Sequence, residues 1–317
     1  MWLLLYLVFS KNKRLTFLKL IRYKNLLLII LTQVLVHYGF LKALHLPVLL
    51  THFNFALLVI ATVCIAAAGY IINDLNDVES DLINKPSKTY IPHYFSENFA
   101  FNSYLVFNIG GVGLGFLLCN RLGLSNFTTV FVLISALLYV YANFLKRVIL
   151  IGNLVVSLVV ASAIFILLIF DILPFLNSFQ KELLTPFSVV RDYGIFALLL
   201  NFLRELVKDI EDANGDYAVG IKSLPILLGL ERTAKIAGYI SVVYIFTILG
   251  YIYLYVQTNV WLSLYLVAAV IVPLVLFCIK ARYAEKQKHY AYLSKLLKFI
   301  MLTGILSLGV LTLTLKY

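Results

Sequence analysis

Two stretches of the sequence repeat one spacing of carboxylates. Asn73-Asp74-Leu75-Asn76-Asp77-Val78-Glu79-Ser80-Asp81 sets aspartates at i, i+3 and i+7, and Asp209-Ile210-Glu211-Asp212-Ala213-Asn214-Gly215-Asp216 does the same. At about 100° per residue, those positions fall within roughly 60° of one another on a helix. Asp74, Asp77 and Asp81 are therefore expected to aim one way, and so are Asp209, Asp212 and Asp216. Glu79 and Glu211 fall off that face and read as solvated. Carboxylates held this close repel and raise one another's pKa, so the arrangement is favourable when a cation sits among them. A solvated loop explains acidity, but it does not explain why over half of the chain's 15 acidic residues fall in two copies of one pattern. The spacing predicts divalent-metal sites.

Mg²⁺ takes few carboxylates and completes its shell with water and substrate phosphates. The substrate implied is a phosphate or diphosphate, with the metal bridging it to aspartates that would otherwise repel it. The ion would also act as a Lewis acid on departing oxygens. Lys146, Arg147, Lys208 and Lys222 could grip the oxygens the metal leaves free; the first three read equally well as membrane-anchoring positive charges. Among 23 Phe and 21 Tyr, Tyr139 and Tyr141 stand just before Lys146, where a ring face could stabilise an allylic cation.

The elements that must position these residues are membrane helices. The chain has 317 residues, 62% hydrophobic and 13% charged, with mean hydropathy +0.96. Soluble domains carry about a quarter charged residues. Apolar runs of the roughly 20 residues needed to span a bilayer occur at 20–43, 51–72, 99–119, 125–145, 149–170, 187–208, 233–256, 259–280 and 295–315. Nine spans sort the 26 Lys and Arg into 21 on one side and 5 on the other. Because basic loops stay inside, the N-terminus is expected in the cytoplasm, the C-terminus outside, and both acidic stretches on the cytoplasmic face of the cell membrane.

The net charge of +11 is then a consequence of topology. It does not indicate nucleic-acid binding, since the basic residues are spread over short loops with no soluble domain to carry a groove. The apolar opening at 1–9 lacks a basic n-region and reads as an interfacial anchor rather than a cleaved signal. Cys64, Cys119 and Cys278 have no metal-ligand spacing and read as small core residues. The five histidines form no triad or zinc pattern. The run Gly110, Gly111, Gly113 and Gly115 reads as close helix packing. No linker divides the chain, so one domain over 1–317 is expected, with the longer inner segments at about 73–98 and 209–232 forming a cap over the site.

The stretch Gly69-Tyr70-Ile71-Ile72-Asn73-Asp74 through Asp77 and Asp81, with Ile83-Asn84-Lys85-Pro86 beyond, resembles the first signature of the UbiA superfamily of intramembrane prenyltransferases. Arg204-Glu205 through Lys208-Asp209-Ile210-Glu211-Asp212 and Gly215-Asp216, then Gly220-Ile221-Lys222-Ser223-Leu224-Pro225, resembles the second. Tyr141 through Lys146-Arg147 to Gly152-Asn153, and Arg22-Tyr23-Lys24-Asn25, are similar to further family stretches. The resemblance implies an all-α integral membrane fold of nine transmembrane helices around a central cavity. It also implies two Mg²⁺ ions and transfer of a prenyl group from a polyprenyl diphosphate, such as geranylgeranyl diphosphate, to a lipophilic or phosphate acceptor among the membrane lipids, with release of pyrophosphate.

Carried over, Asn73, Asp74, Asp77, Asp81, Asp209, Asp212 and Asp216 would serve metal and diphosphate, with Asp77 and Asp209 central to catalysis. Arg22, Asn25, Lys146, Arg147, Lys208 and Lys222 would bind substrate, and Tyr141 would lie near the allylic carbon. The Lys-Asp-Ile-Glu-Asp string looks most like the branch that prenylates geranylgeranylglyceryl phosphate, although an aromatic acceptor is compatible with the donor chemistry. Leu82 and Lys88-Thr89 depart from the family, which often has Arg and Arg-Pro there. A transporter of ions or phosphate is the reading from another class, and a silent lipid-binding homologue a third. Transporters place charges near the bilayer midplane, whereas these clusters close the spans.

Overall fold

The structure is a computed structural model that describes residues 11–316; the stretch 1–9 read as an anchor lies outside the described residues. Among the described residues nine helices are long and apolar enough to cross a membrane, the number expected, and there is no β-strand. The chain forms two compact units. One comprises residues up to Ile30 together with Thr51–Lys146, and the other comprises Leu31–Leu50 and Arg147 onward. Each carries one of the acidic stretches.

In the first unit, α1 (Lys11–Leu20) leads into α2 (Tyr23–Val34), whose opening turns belong here. The spanning helices are α3 (His52–Asn76), α5 (Glu97–Leu122) and α6 (Thr128–Asn143), and the short α4 (Val78–Asn84) follows α3. Side-chain oxygens satisfy orphan amides at two starts: Thr51 accepts from Asn54 N at 3.3 Å and Ser96 from Phe99 N at 3.2 Å. The glycine run splits by role. A Cβ on Gly111 would stand 2.7 Å from Ile65 and one on Gly115 2.4 Å from Phe131, so these two let α5 approach α3 and α6, whereas Gly110 and Gly113 face open space.

In the second unit the rest of α2 widens into a π-helical segment, Leu35–Lys42. It is followed by α7 (Ile151–Leu167), α8 (Gln180–Ala218), α9 (Leu224–Leu228), α10 (Leu230–Tyr251), α11 (Val260–Leu266), α12 (Val272–Arg282) and α13 (Gln287–Lys316). Leu203, Val207, Ala237, Leu274, Phe277 and Leu297 form its core where α8, α10, α12 and α13 meet. Several polar groups buried in this unit are paired, as an apolar surround favours. His37 Nδ1 lies 2.7 Å from Asp171 Oδ2, and Leu50 N donates to Asp171 Oδ1 at 3.1 Å. Gln33 Nε2 donates to the Ala163 carbonyl at 3.2 Å. His37 is thus a packing residue, as its isolation in the sequence suggested. Of the cysteines, Cys119 is buried and the other two half-buried.

The sixth span differs most from its expected bounds. It runs 39 residues as α8, about 58 Å at 1.5 Å per residue and roughly twice a hydrocarbon core. The first ten residues of segment 209–232 therefore continue the helix, and only 219–229 leaves it, through a left-handed Gly220 (φ 75°) and α9. In the other acidic stretch, α3 stops at Asn76, Asp77 turns at φ −101°, ψ 5°, and α4 resumes at Val78.

Candidate active site

In the first unit the carboxylates lie at the C-terminal end of α3, where the helix dipole disfavours negative charge. Asp74 and Asp77 are each matched by donors. Asp74 Oδ1 accepts from Arg22 Nη2 at 2.6 Å. Arg22 holds a left-handed backbone (φ 52°) at the α1–α2 junction, a conformation strained for any residue with a Cβ. Its guanidinium also lies 5.1 Å from the centre of the Tyr70 ring. Burial by itself would lower the Arg22 pKa, but the Asp74 carboxylate, with Tyr70 and Asp77, raises it overall, so the group stays charged.

Asp77 is the pivot of this row. It is buried, its Oδ2 accepts from Asn73 Nδ2 at 2.6 Å, and the same oxygen is ion-paired with Lys146 Nζ. The kink at Asp77 keeps the local ladder, with Asp77 N on Asn73 O at 3.0 Å and Asp81 N on Asp77 O at 2.8 Å. The triplet thus spans two helices joined at its middle aspartate rather than one unbroken helix, and Asp81 is half-buried on α4. Glu79 is exposed, in keeping with its helical phase. Tyr141 is buried near the end of α6, whereas Tyr139 is exposed and stacks on Tyr104 at 6.5 Å. Asn25 is half-buried.

In the second unit Asp209, Asp212 and Asp216 stand on one continuous helix, as the spacing requires. Asn153 Nδ2 at the start of α7 donates to Asp209 Oδ2 at 2.7 Å. Asp216 is buried, Asp212 half-buried. Arg147 and Lys222 are exposed. Lys208 turns back to Glu205, 3.6 Å away, and Arg204 Nη1 donates to Glu205 Oε1 at 2.7 Å.

Two residues of this site were not singled out from their sequence positions. Asn153 has no signal of its own beyond its Gly152-Asn153 context, since its partner lies 56 positions away. Glu205 was legible: at one turn before Asp209 it extends the same face, so that 205, 209, 212 and 216 fall within roughly 60°. Among the described residues no three Asp, Glu, His or Cys side chains gather as a ready-made metal-ligand set. The carboxylates turn instead to Arg22, Asn73, Lys146 and Asn153.

The UbiA prenyltransferase family profile matches residues 29–313. The chain belongs to the UbiA prenyltransferase family. It is an integral membrane prenyltransferase of that family. Its relatives include the digeranylgeranylglyceryl phosphate synthase of Korarchaeum cryptofilum, 32% identical over 75% of this chain and 80% of the relative. The enzyme of the same name from Hyperthermus butylicus is 32% identical over 69% of each chain. A solved structure of digeranylgeranylglyceryl phosphate synthase in membranes superposes with a TM-score of 0.61 at 24% identity, over 94% of this chain and 98% of that one. A UbiA homolog from Archaeoglobus fulgidus bound to GPP and Mg²⁺ gives 0.54 at 12% identity, over 92% and 99%. The two structures share the fold.

Proposed function

We propose that this UbiA-family chain transfers a geranylgeranyl group from geranylgeranyl diphosphate to the free hydroxyl of geranylgeranylglyceryl phosphate, releasing pyrophosphate, with Mg²⁺ as cofactor. The observation that carries the reading is chemical: each unit ends a long membrane helix in a row of aspartates held by a lysine, an arginine or an amide. Relatives named for digeranylgeranylglyceryl phosphate support the acceptor, and the Archaeoglobus homolog bound to GPP and Mg²⁺ supports the cofactor.

The donor set suits the ion, being entirely hard oxygen from Asp and Asn. The residues that would hold Mg²⁺ are Asn73, Asp74, Asp77 and Asp81 in one row and Asp209, Asp212 and Asp216 in the other, one ion to each. Bound there, Mg²⁺ would neutralise charge on the leaving diphosphate. Lys146, paired with Asp77, is positioned to pass from carboxylate to phosphate oxygen, and Arg22 stands beside it on Asp74. Arg147, Lys208 and Lys222 are the further cations, and Tyr141 offers a ring to the allylic carbon. The carbon–oxygen bond to diphosphate breaks with its electron pair staying on the diphosphate, the acceptor oxygen bonds to that carbon, and the hydroxyl proton passes to the released diphosphate. The basic loops, sorted 21 to 5, support a cytoplasmic position for both aspartate rows.

The test is product formation by purified protein in nanodiscs from labelled geranylgeranyl diphosphate and geranylgeranylglyceryl phosphate, with hydroxybenzoate and naphthoate as competing acceptors. Prenylation of an aromatic acceptor alone would overturn the acceptor, and metal-dependent ion flux without any prenyl product would overturn the reaction.

A further inference from the structure

The face of α8 that carries the second aspartate row does not end at Glu205. Asn201 stands one turn earlier, so that 201, 205, 209, 212 and 216 fall within about 80° of arc. Asn201 is 2% exposed, and its Nδ2 has no hydrogen-bond partner among the described residues. Two contacts define how α7 runs past α8: Asn153 on Asp209, and the Phe165 ring against Gly194. Interpolating between them sets Asn201 level with Leu158, Val159, Val160 and Ala161, a run of four apolar residues on α7. A buried N–H donor without a partner is destabilising and rare in a native fold. Its retention beside a catalytic row calls for an acceptor that arrives with a ligand.

Spacing decides which ligand. Eight residues separate Asn201 from Asp209, about 12 Å along the helix. Resting on the reaction proposed above, the diphosphate lies at the aspartates, and beyond it the donor is hydrocarbon with no atom for an N–H. The acceptor is different. Its reacting hydroxyl must reach the carbon next to the diphosphate, and the neighbouring ether and phosphate-ester oxygens of its glycerol unit then lie several ångströms further from the carboxylates.

We propose that Asn201 is the acceptor-recognition residue, its Nδ2 donating to an oxygen of the acceptor's glycerol unit. Asn201→Leu, near in volume and without the unpaired donor, separates this role from packing. In full-length protein in nanodiscs the variant is expected to melt at or above the wild-type temperature and to keep the donor KM within twofold. Its KM for geranylgeranylglyceryl phosphate should rise about tenfold or more, the scale of one lost hydrogen bond to a bound substrate. Asn201→Ser, a shorter donor, should fall between. An unchanged acceptor KM overturns the assignment and identifies the partner as water. So does an equal loss for both substrates, or a lowered melting temperature with both KM values intact. Product from wild-type protein alongside any of these results would overturn the assignment alone, whereas no product from wild-type protein with this acceptor would overturn the reaction reading as well.

Discussion

Replacing Asp77 by Asn tests the site where its geometry is tightest. The side chain keeps its shape and can still accept from Asn73 Nδ2, but it loses the charge that pairs with Lys146 and would face a cation. Two effects follow, and the structure sizes each. The ion pair is partly buried, with side-chain exposures of 21% for Lys146 and 9% for Asp77. Its loss should thus cost about 1–2 kcal/mol in stability, between the values for exposed and fully buried pairs. Catalysis should suffer more, since removing one preorganised charge-stabilising group costs about 10²–10³ in kcat, or roughly 2.7–4 kcal/mol. The assay is pyrophosphate release and prenyl product in nanodiscs, with thermal melting in parallel. Glu79→Gln, an exposed neighbour off the face, should stay within twofold. Lys146→Met combined with Asp77→Asn removes both charges and should recover stability without recovering activity. Activity above a third of wild type in Asp77→Asn, or recovered activity in the double variant, would refute the reasoning and leave the pair a structural tie.

Further outcomes follow from other contacts. Asn153→Leu removes the amide that donates to Asp209 at 2.7 Å; a hydrogen bond to a charged group contributes about 1.5–3 kcal/mol, so kcat/KM should drop tenfold or more, with Asn153→Ser retaining part of it. Chelation by EDTA should stop product formation and Mg²⁺ restore it, read also as a cation-dependent rise in melting temperature with the donor bound. Gly115→Ala drives a Cβ to 2.4 Å from Phe131 and should destabilise by about 1–3 kcal/mol, whereas Gly113→Ala, facing open space, should be neutral or gain about 0.5–1 kcal/mol, as Gly-to-Ala does within a helix. Detergent melting curves check the pair.

Much of this protein was legible in the sequence, for reasons that are local. Hydropathy runs and the sorting of Lys and Arg identify nine spans because the bilayer acts on each segment independently. The i, i+3, i+7 spacing places Asp209, Asp212 and Asp216 on one face because helical phase depends on position alone. Motif residues around both aspartate rows carry the family for the same reason. What lay beyond the sequence depends on which segments pack together. Asp77 breaks α3 from α4, while the equivalent stretch of α8 runs on unbroken for 39 residues. The partners that hold the carboxylates come from afar: Arg22 for Asp74 across 52 positions, Lys146 for Asp77 across 69, Asn153 for Asp209 across 56. Nothing in periodicity chooses those partners, because each pairing is a balance of burial, charge and reach that exists once the helices are side by side. The same holds for Asn201, an unremarkable amide by its sequence position, whose donor is left unpaired only once tertiary packing has buried it.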